Sequence, residues 1–144
     1  MTQLKKIILN LDSSQESQNA LAAAITLAKM SEGTIIAVNI VNQAVVTSLA
    51  RHSDKSLAEV EVELEENGWR YLYAAEEQAK NDGAHIVILQ ENGYPEEILP
   101  RLAKDYSADL IIIGQNKKSR ENISQSRSAD QIIEHSSCAV LVIK

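Results

Sequence analysis

Short, nearly continuous apolar runs alternate along this chain with longer segments of helical spacing. Ile7–Leu11 is one such run and Thr34–Val41 is another, and between them apolar residues recur at helical intervals from Leu21 to Ala28. An unbroken apolar strand is typical of a sheet covered on both faces, because neither face of the strand meets water. A helix between two such strands predicts a βαβ unit with parallel pairing and a right-handed crossover.

The alternation continues to the end of the chain. Further strands are predicted over Ala84–Leu89, Asp109–Ile113 and Ala139–Ile143, and further helices from Ser56 to about Asn81, after Gly93, and over Ser128–His135. Residues 42–53 show no clear period and are expected to be a connection. The chain is therefore expected to be a single domain over residues 1–144, of α/β class, with a doubly wound, mostly parallel five-stranded sheet and helices on both faces, as in Rossmann-like folds.

Local signals mark the helix ends and two irregular positions. Ser13 with Glu16, and Ser56 with Glu59, have the capping-box spacing that satisfies the free amides of a first helical turn. Gly68 lies in the middle of the longest predicted helix, where glycine costs about 1 kcal/mol relative to alanine and is expected to loosen it. Proline at position 100 has no N–H to donate, so it should kink the third helix or delay its start.

Composition argues against several classes of function. The net charge is −6 and aromatic residues make up 3% of the chain, with no Phe, which argues against broad binding of nucleic acid or of anionic membranes. No apolar run approaches the roughly 20 residues that span a bilayer, and the first residues lack an export-signal pattern. We therefore expect a cytoplasmic protein, with Cys138 as a small buried hydrophobe beside the last apolar run.

Ligands of an open parallel sheet bind beyond the carboxyl ends of its strands, where the strand order reverses. Asn10–Asp12, Asn39–Asn42 and the long segment from Gly114 to Arg127 are expected to reach that edge. The Asp12 carboxylate suits hydrogen bonds from a ribose or an adenine amine, and it equally suits capping of the helix that starts beside it. No histidine has metal-ligand spacing and no nucleophile–base motif is visible, so neither a metal site nor a catalytic site is predicted.

Motifs spread through the chain resemble those of the universal stress protein family. In order they are IILNLDSS at 7–14, GYPEEIL at 93–99, ADLIIIG at 108–114, the segment 128–137 and VLVI at 140–143. The resemblance covers essentially the whole chain and rests on their order and spacing together. It implies a fold similar to the nucleotide alpha-hydrolase-like α/β domains, a homodimer, and a role in stress survival rather than in one reaction.

Many members of that family bind ATP through the pattern G-x-x-G, nine residues, G-[ST]. Gly114 and Ser128 match the ends of the pattern, whereas Lys117 and Arg127 stand at its two other glycines. A side chain there occupies space that the phosphates need, and it adds about 1–2 kcal/mol of strain if the backbone has positive φ. The departure predicts weak or absent ATP binding in the family's usual pose.

Charge favours a different interpretation of the same segment. Four cations, Lys117, Lys118, Arg120 and Arg127, stand against Glu121, a local excess of +3, and such a cluster at a helix N-terminus suits phosphate binding through side chains. A solvated surface loop is the third interpretation.

Three functions therefore remain open. They are a non-catalytic homodimeric stress-response protein with a degenerate nucleotide pocket, a regulator that binds ATP or another adenine nucleotide, and a nucleotide hydrolase. No cofactor is established, and the resemblance allows ATP with Mg²⁺. The candidate nucleotide-binding residues are Asn10, Leu11, Asp12, Ile40, Gly114, Gln115, Lys117, Arg127, Ser128 and Ala129. The resemblance implies pairing through the last strand, Ala139, Val140, Leu141, Val142 and Ile143, whose apolar edge needs cover.

Overall fold

A five-stranded parallel sheet forms the centre of the molecule, in the order β3-β2-β1-β4-β5. The structure is a computed structural model and describes residues 3–115 and 123–144, with side chains for 3–115 and 129–144. The elements are β1 (Lys6–Asn10), α1 (Gln15–Ser31), β2 (Thr34–Asn42), α2 (Gln43–Arg51), α3 (Leu57–Asn81), β3 (His85–Gly93), α4 (Pro95–Asp105), β4 (Leu110–Gly114), α5 (Ile123–His135) and β5 (Ala139–Ile143). The doubly wound α/β prediction is confirmed, and the strand order reverses at β1.

Successive strand residues supply two cores, one on each face of the sheet. Ile7 and Leu9 pack with α1 and α3, whereas Ile8 packs with α4 and α5. All three are fully buried, as predicted for a strand covered on both faces. Within the described parts of the chain, no helix combines the length and apolarity that crossing a bilayer requires.

Residues 43–51 form a helix where the sequence predicted only a connection. Asn42 caps this helix by accepting a hydrogen bond from the Ala44 N–H at 3.0 Å. Val46 is its buried residue and packs against Val41 and Val60. Val46, Leu49 and Ala50 stand at helical spacing, so both a cap and a short apolar stripe were present in the sequence.

The hydroxyl that caps α1 belongs to Ser14, and the prediction of Ser13 is wrong by one residue. Ser14 Oγ accepts from the Ser17 N–H at 3.0 Å. The capping-box spacing succeeds at α3, where Ser56 Oγ accepts from the Glu59 N–H at 3.2 Å.

Gly68 and Pro100 both lie inside helices that continue past them. A Cβ on Gly68 would lie 2.0 Å from Asn39 Oδ1 and 2.6 Å from Gln90 Nε2, so this glycine permits a close contact between α3 and the sheet. That contact, rather than a loosened helix, is the consequence of the glycine. α4 starts before Pro100, so the expected delay of its start is wrong.

Candidate functional site

A cleft of about 550 Å³ opens at the carboxyl edge of the sheet, where the strand order reverses. Its volume is typical of small-molecule sites, which measure roughly 300–1,000 Å³. The ends of β1, β2 and β4, the start of α1, and parts of α2 to α5 contribute to its walls. The lining residues are Asn10, Asp12, Ser13, Ser14, Asn39, Ile40, Val41, Asn42, Val45, Leu64, Asn67, Tyr71, Pro95, Ile113, Gly114, Gln115, Ala129 and Ile132.

Six of the ten predicted nucleotide-binding residues line this cleft: Asn10, Asp12, Ile40, Gly114, Gln115 and Ala129. Leu11 does not, because it is fully buried in the core that α1 and α3 cover. Its backbone is also occupied, since its N–H donates to the Val38 carbonyl at 2.8 Å. The side chains of Lys117, Arg127 and Ser128 lie outside the described residues.

Asp12 joins the cleft to the start of α1. Its Oδ1 accepts from the Ser14 N–H at 2.8 Å and from the Ser14 hydroxyl at 2.5 Å, and its own N–H donates to the buried Ser17 Oγ at 2.8 Å. No hydrogen bond within the described residues uses Oδ2. Asp12 therefore supports the Ser14 cap rather than capping α1 itself, and an acceptor oxygen remains for a ligand.

A buried amide network lies beneath the β2 side of the cleft. Asn39 is 6% exposed and donates from Nδ2 to the Leu11 carbonyl at 2.9 Å. Its Oδ1 accepts from Gln90 Nε2 at 3.2 Å, and the same nitrogen donates to the Glu65 carbonyl at 2.9 Å. These bonds tie β2 to the end of β1 and tie β3 to α3, so the position of α3 is fixed by satisfied buried polar groups.

α3 supplies a wall of the cleft that the sequence analysis missed. Leu64, Asn67 and Tyr71 stand at helical spacing on one face and line the cleft, and Val45 of α2 lines it as well. Their spacing was readable in the sequence. The contact between Gly68 and the sheet brings this face to the strand ends, and the sequence alone does not show that contact.

The β4 side of the cleft is held by close backbone packing. A Cβ on Gly114 would lie 2.6 Å from the carbonyl carbon of Glu16 and 2.8 Å from the Ser17 nitrogen. The Gln115 N–H then donates to the Ile143 carbonyl at 2.7 Å, which keeps the chain beside β5 after β4 ends. Packing against α1 therefore requires glycine at position 114 whether or not a phosphate binds there.

The charge of the cleft is low on the part that the structure describes. Asp12 is the only ionisable acid or base among the lining residues apart from the phenol of Tyr71. Across residues 3–115 and 129–144, no three side chains of His, Cys, Asp or Glu gather as metal ligands. A bound phosphate would thus have to draw its positive charge from residues 116–128 or from solvent cations.

The chain matches known proteins along nearly all of its length. The model of the universal stress protein family matches residues 3–144. Universal stress protein MJ0531 of Methanocaldococcus jannaschii is 30% identical over 142 residues, which cover 97% of this chain and 82% of that protein. Universal stress protein YxiE of Bacillus subtilis is 25% identical over 96% of this chain and 98% of its own.

Solved structures share the fold at lower identity. The universal stress protein UspA from Lactobacillus plantarum has a TM-score of 0.83 at 18% identity over the whole of both chains. A universal stress protein in complex with cAMP has a TM-score of 0.70 at 21% identity and covers 99% of this chain and 98% of its own. The universal stress protein from Archaeoglobus fulgidus in complex with dAMP has a TM-score of 0.71 at 16% identity and covers 99% of this chain and 100% of its own. From the match of the family model over residues 3–144, this chain belongs to the universal stress protein family.

Proposed function

We propose that this chain is a non-catalytic, homodimeric stress-response protein with a degenerate nucleotide pocket. Its cleft takes an adenine nucleoside with a short phosphate and binds ATP weakly or not at all. The observation that carries this proposal is the contrast between a formed cleft around Asp12 and the presence of Lys117 and Arg127 at two glycines of the family's phosphate pattern.

The nucleoside part of the proposal is supported by the walls of the cleft. Asp12 offers an acceptor for a ribose hydroxyl, and Ile40 and Val41 offer apolar surface to a base. Proteins of the same fold have been crystallised with cAMP and with dAMP, each of which carries one phosphate group.

Steric and electrostatic arguments support weak binding of the triphosphate. Backbone amides approach a phosphate closely where glycine leaves no side chain in the way. Here Lys117 and Arg127 place long side chains at two of the pattern's glycine positions. Asp12 adds a negative charge to the cleft, which opposes a triphosphate more than a monophosphate.

Titration calorimetry with adenosine, AMP and Mg-ATP tests this proposal. We expect measurable heat for AMP and an affinity for Mg-ATP that is at least about tenfold weaker, equal to about 1.4 kcal/mol of binding free energy. Tighter binding of ATP than of AMP, or no heat with any of the three, would contradict it.

A second candidate is an ATP-binding regulator in which Lys117 and Arg127 hold the phosphates, and the positive charge of residues 117–127 favours it. A variant with Lys117→Gly and Arg127→Gly separates the two candidates. Its affinity for ATP should rise if the side chains block the pocket and should fall if they hold the phosphates. A variant with Lys118→Gly and Arg120→Gly removes the same charge at positions where the pattern has no glycine and serves as the matched control.

The dimer would form through the edge of β5. This strand pairs with β4 on one side, and Val140, Leu141, Val142 and Ile143 are only partly buried. The Ile143 carbonyl accepts a bond from the β4 side, so the backbone groups of Val140 point to the free edge by alternation along the strand. Light scattering should therefore show a dimer at micromolar concentration for the natural sequence and a folded monomer for Val140→Pro. A monomer for both would contradict the proposed dimer.

The absence of catalysis is tested by incubating the protein with Mg-ATP and with AMP. We expect no turnover above that of buffer. Turnover that is abolished by Asp12→Ala would contradict the proposal and favour the hydrolase.

A further inference from the structure

Residues of β2 and α3 form the wall of the cleft that is farthest along the sheet from Gly114, and we call this part the lobe beneath α3. Asn39 and Val41 of β2 form one side of the lobe, and Leu64, Asn67 and Tyr71 of α3 form the other. Asn39 and Val41 are buried, and Leu64, Asn67 and Tyr71 are partly buried. The lining of the lobe combines aliphatic side chains with an amide and a phenol at the α3 side.

The strand order sets the direction in which a nucleotide would lie. Gly114 ends β4, Asp12 follows β1, and the lobe lies beside the last residues of β2, so the three places follow one another along the sheet edge. Neighbouring strands are about 4.8 Å apart, which separates the β4 and β2 ends by about 10 Å. A nucleotide with its phosphate toward Gly114 and its ribose at Asp12 therefore carries its base into the lobe beneath α3.

Asn67 is the lobe residue with the chemistry to distinguish bases. Its Oδ1 accepts from Arg70 Nη1 at 3.2 Å, and its Nδ2 donates to none of the described residues. A carbonyl oxygen has a second lone pair, so this amide still offers one acceptor and its donors on the cleft side of α3. Asn39 differs, because both ends of its amide are already bonded inside the protein.

We infer that Asn67 is a specificity-determining residue that selects adenine over bases with a carbonyl at the same position. The inference rests on the proposed function and names the base subsite within it. An amide side chain pairs with adenine through two bonds, accepting from the exocyclic amine and donating to a ring nitrogen. Hypoxanthine presents an oxygen in place of that amine, so the Asn67 carbonyl would face another acceptor.

The lobe is also held in place for such a task. Gly68 brings α3 against the ends of β2 and β3, and the bond from Gln90 Nε2 to the Glu65 carbonyl fixes the same turn of the helix. Asn67 lies between these two anchored residues, so its position relative to the strand ends is fixed before a ligand arrives. A preorganised polar group gains more on binding, because less ordering remains to be done.

The test compares AMP with IMP, which differ at that exocyclic group, by titration calorimetry. For the natural sequence we expect AMP to bind about tenfold more tightly than IMP, since a bidentate amide pair discriminates at that level. Asn67→Leu should lose this preference by weakening AMP while leaving IMP unchanged. Asn81→Leu makes the same replacement at the exposed end of α3 and should keep the preference.

The outcomes separate the inference from the proposed function. If the natural sequence binds neither AMP nor IMP, both are overturned. If AMP binds and Asn67→Leu keeps the preference for AMP over IMP, the inference alone is overturned and the proposed function stands. Thermal melting checks that each variant is folded, and Asn67→Ser, which keeps a polar side chain, replaces Asn67→Leu if the latter melts early.

Discussion

The two sides of the cleft each depend on a glycine, but the two glycines meet different neighbours. On the β2–α3 side, Gly68 leaves room for the side-chain amides of Asn39 and Gln90. On the β4–α1 side, Gly114 leaves room for the backbone of the first turn of α1, at Glu16. Side chains move aside more easily than the backbone of a helix. The same substitution should therefore cost more on the β4–α1 side.

The largest effect is expected from Gly114→Ala. Its Cβ would lie within 3 Å of three backbone atoms of Glu16 and Ser17, so α1 must shift as a whole. We expect a loss of about 3 kcal/mol in the free energy of unfolding, at the upper end of the usual cost of overpacking. Urea unfolding measures it, and a loss below about 1 kcal/mol would show that α1 moves freely at this contact.

Gly68→Ala is expected to cost less, about 1–2 kcal/mol. The sign of the change in the free energy of unfolding is informative. Alanine in a helix is intrinsically favoured over glycine by about 1 kcal/mol, so Gly68→Ala would stabilise α3 if the space were free. Ala74→Gly, the reverse substitution at an exposed position of the same helix, measures the difference in helix propensity without a steric contribution. A stabilised Gly68→Ala variant would contradict the close contact between α3 and the sheet.

A double variant sharpens the interpretation of Gly68. Asn39→Ala alone should cost about 2 kcal/mol, since it removes the donor to the Leu11 carbonyl and one of the two acceptors of the Gln90 amide. Asn39→Ala also removes the oxygen that the new Cβ of Gly68→Ala meets at 2.0 Å. The double variant should therefore lose about 1 kcal/mol less stability than the sum of the two single variants. Additive losses would mean that the clash is relieved elsewhere.

Ser14→Ala tests the junction of Asp12 with α1 and should cost about 1 kcal/mol, the usual value of a lost cap. Ser13→Ala is the matched control and should change the free energy of unfolding by little. Equal losses for the two serines would contradict the assignment of Ser14 as the cap.

The smallest effect concerns Cys138, which packs against the core on the α4 and α5 face. Burial raises the pKa of the Cys138 thiol, and the nearby carboxylate of Asp109 adds to the effect. Alkylation should therefore begin at a higher pH than for a free thiol, because only the thiolate reacts. Gly114→Ala should speed the reaction severalfold by loosening the β4 side, whereas Gly68→Ala should leave it unchanged. Equal rates of Cys138 alkylation in the two variants would mean that the β4–α1 and β2–α3 sides of the cleft do not loosen independently.

The sequence predicted the succession of strands and helices along the chain, and the sheet edge at which the cleft opens, because these depend on local patterns. Apolar runs such as Ile7–Leu11 report burial on both faces, and parallel strands bring their carboxyl ends to one edge. α2 was missed although Val46, Leu49 and Ala50 stand at helical spacing, because a helix of nine residues carries only a short stripe.

Contacts between distant parts of the chain could not be predicted in this way. Asn39 and Gln90 are separated by 51 residues, and nothing in either segment alone shows that their amides meet. Gly68 was misread for the same reason, because its role depends on what lies opposite α3 rather than on the helix itself. The side chain of Leu11 lies in the core, whereas those of its neighbours Asn10 and Asp12 line the cleft, and the sequence alone does not distinguish the three.

A crystal structure of the protein soaked with AMP and, separately, with ATP tests the central proposal most directly. We expect the ribose of AMP within hydrogen-bonding distance of Asp12, its base beneath α3, and no triphosphate ordered along residues 114–128. A triphosphate ordered there, with backbone amides at its oxygens in the manner of the family pattern, would contradict the proposal.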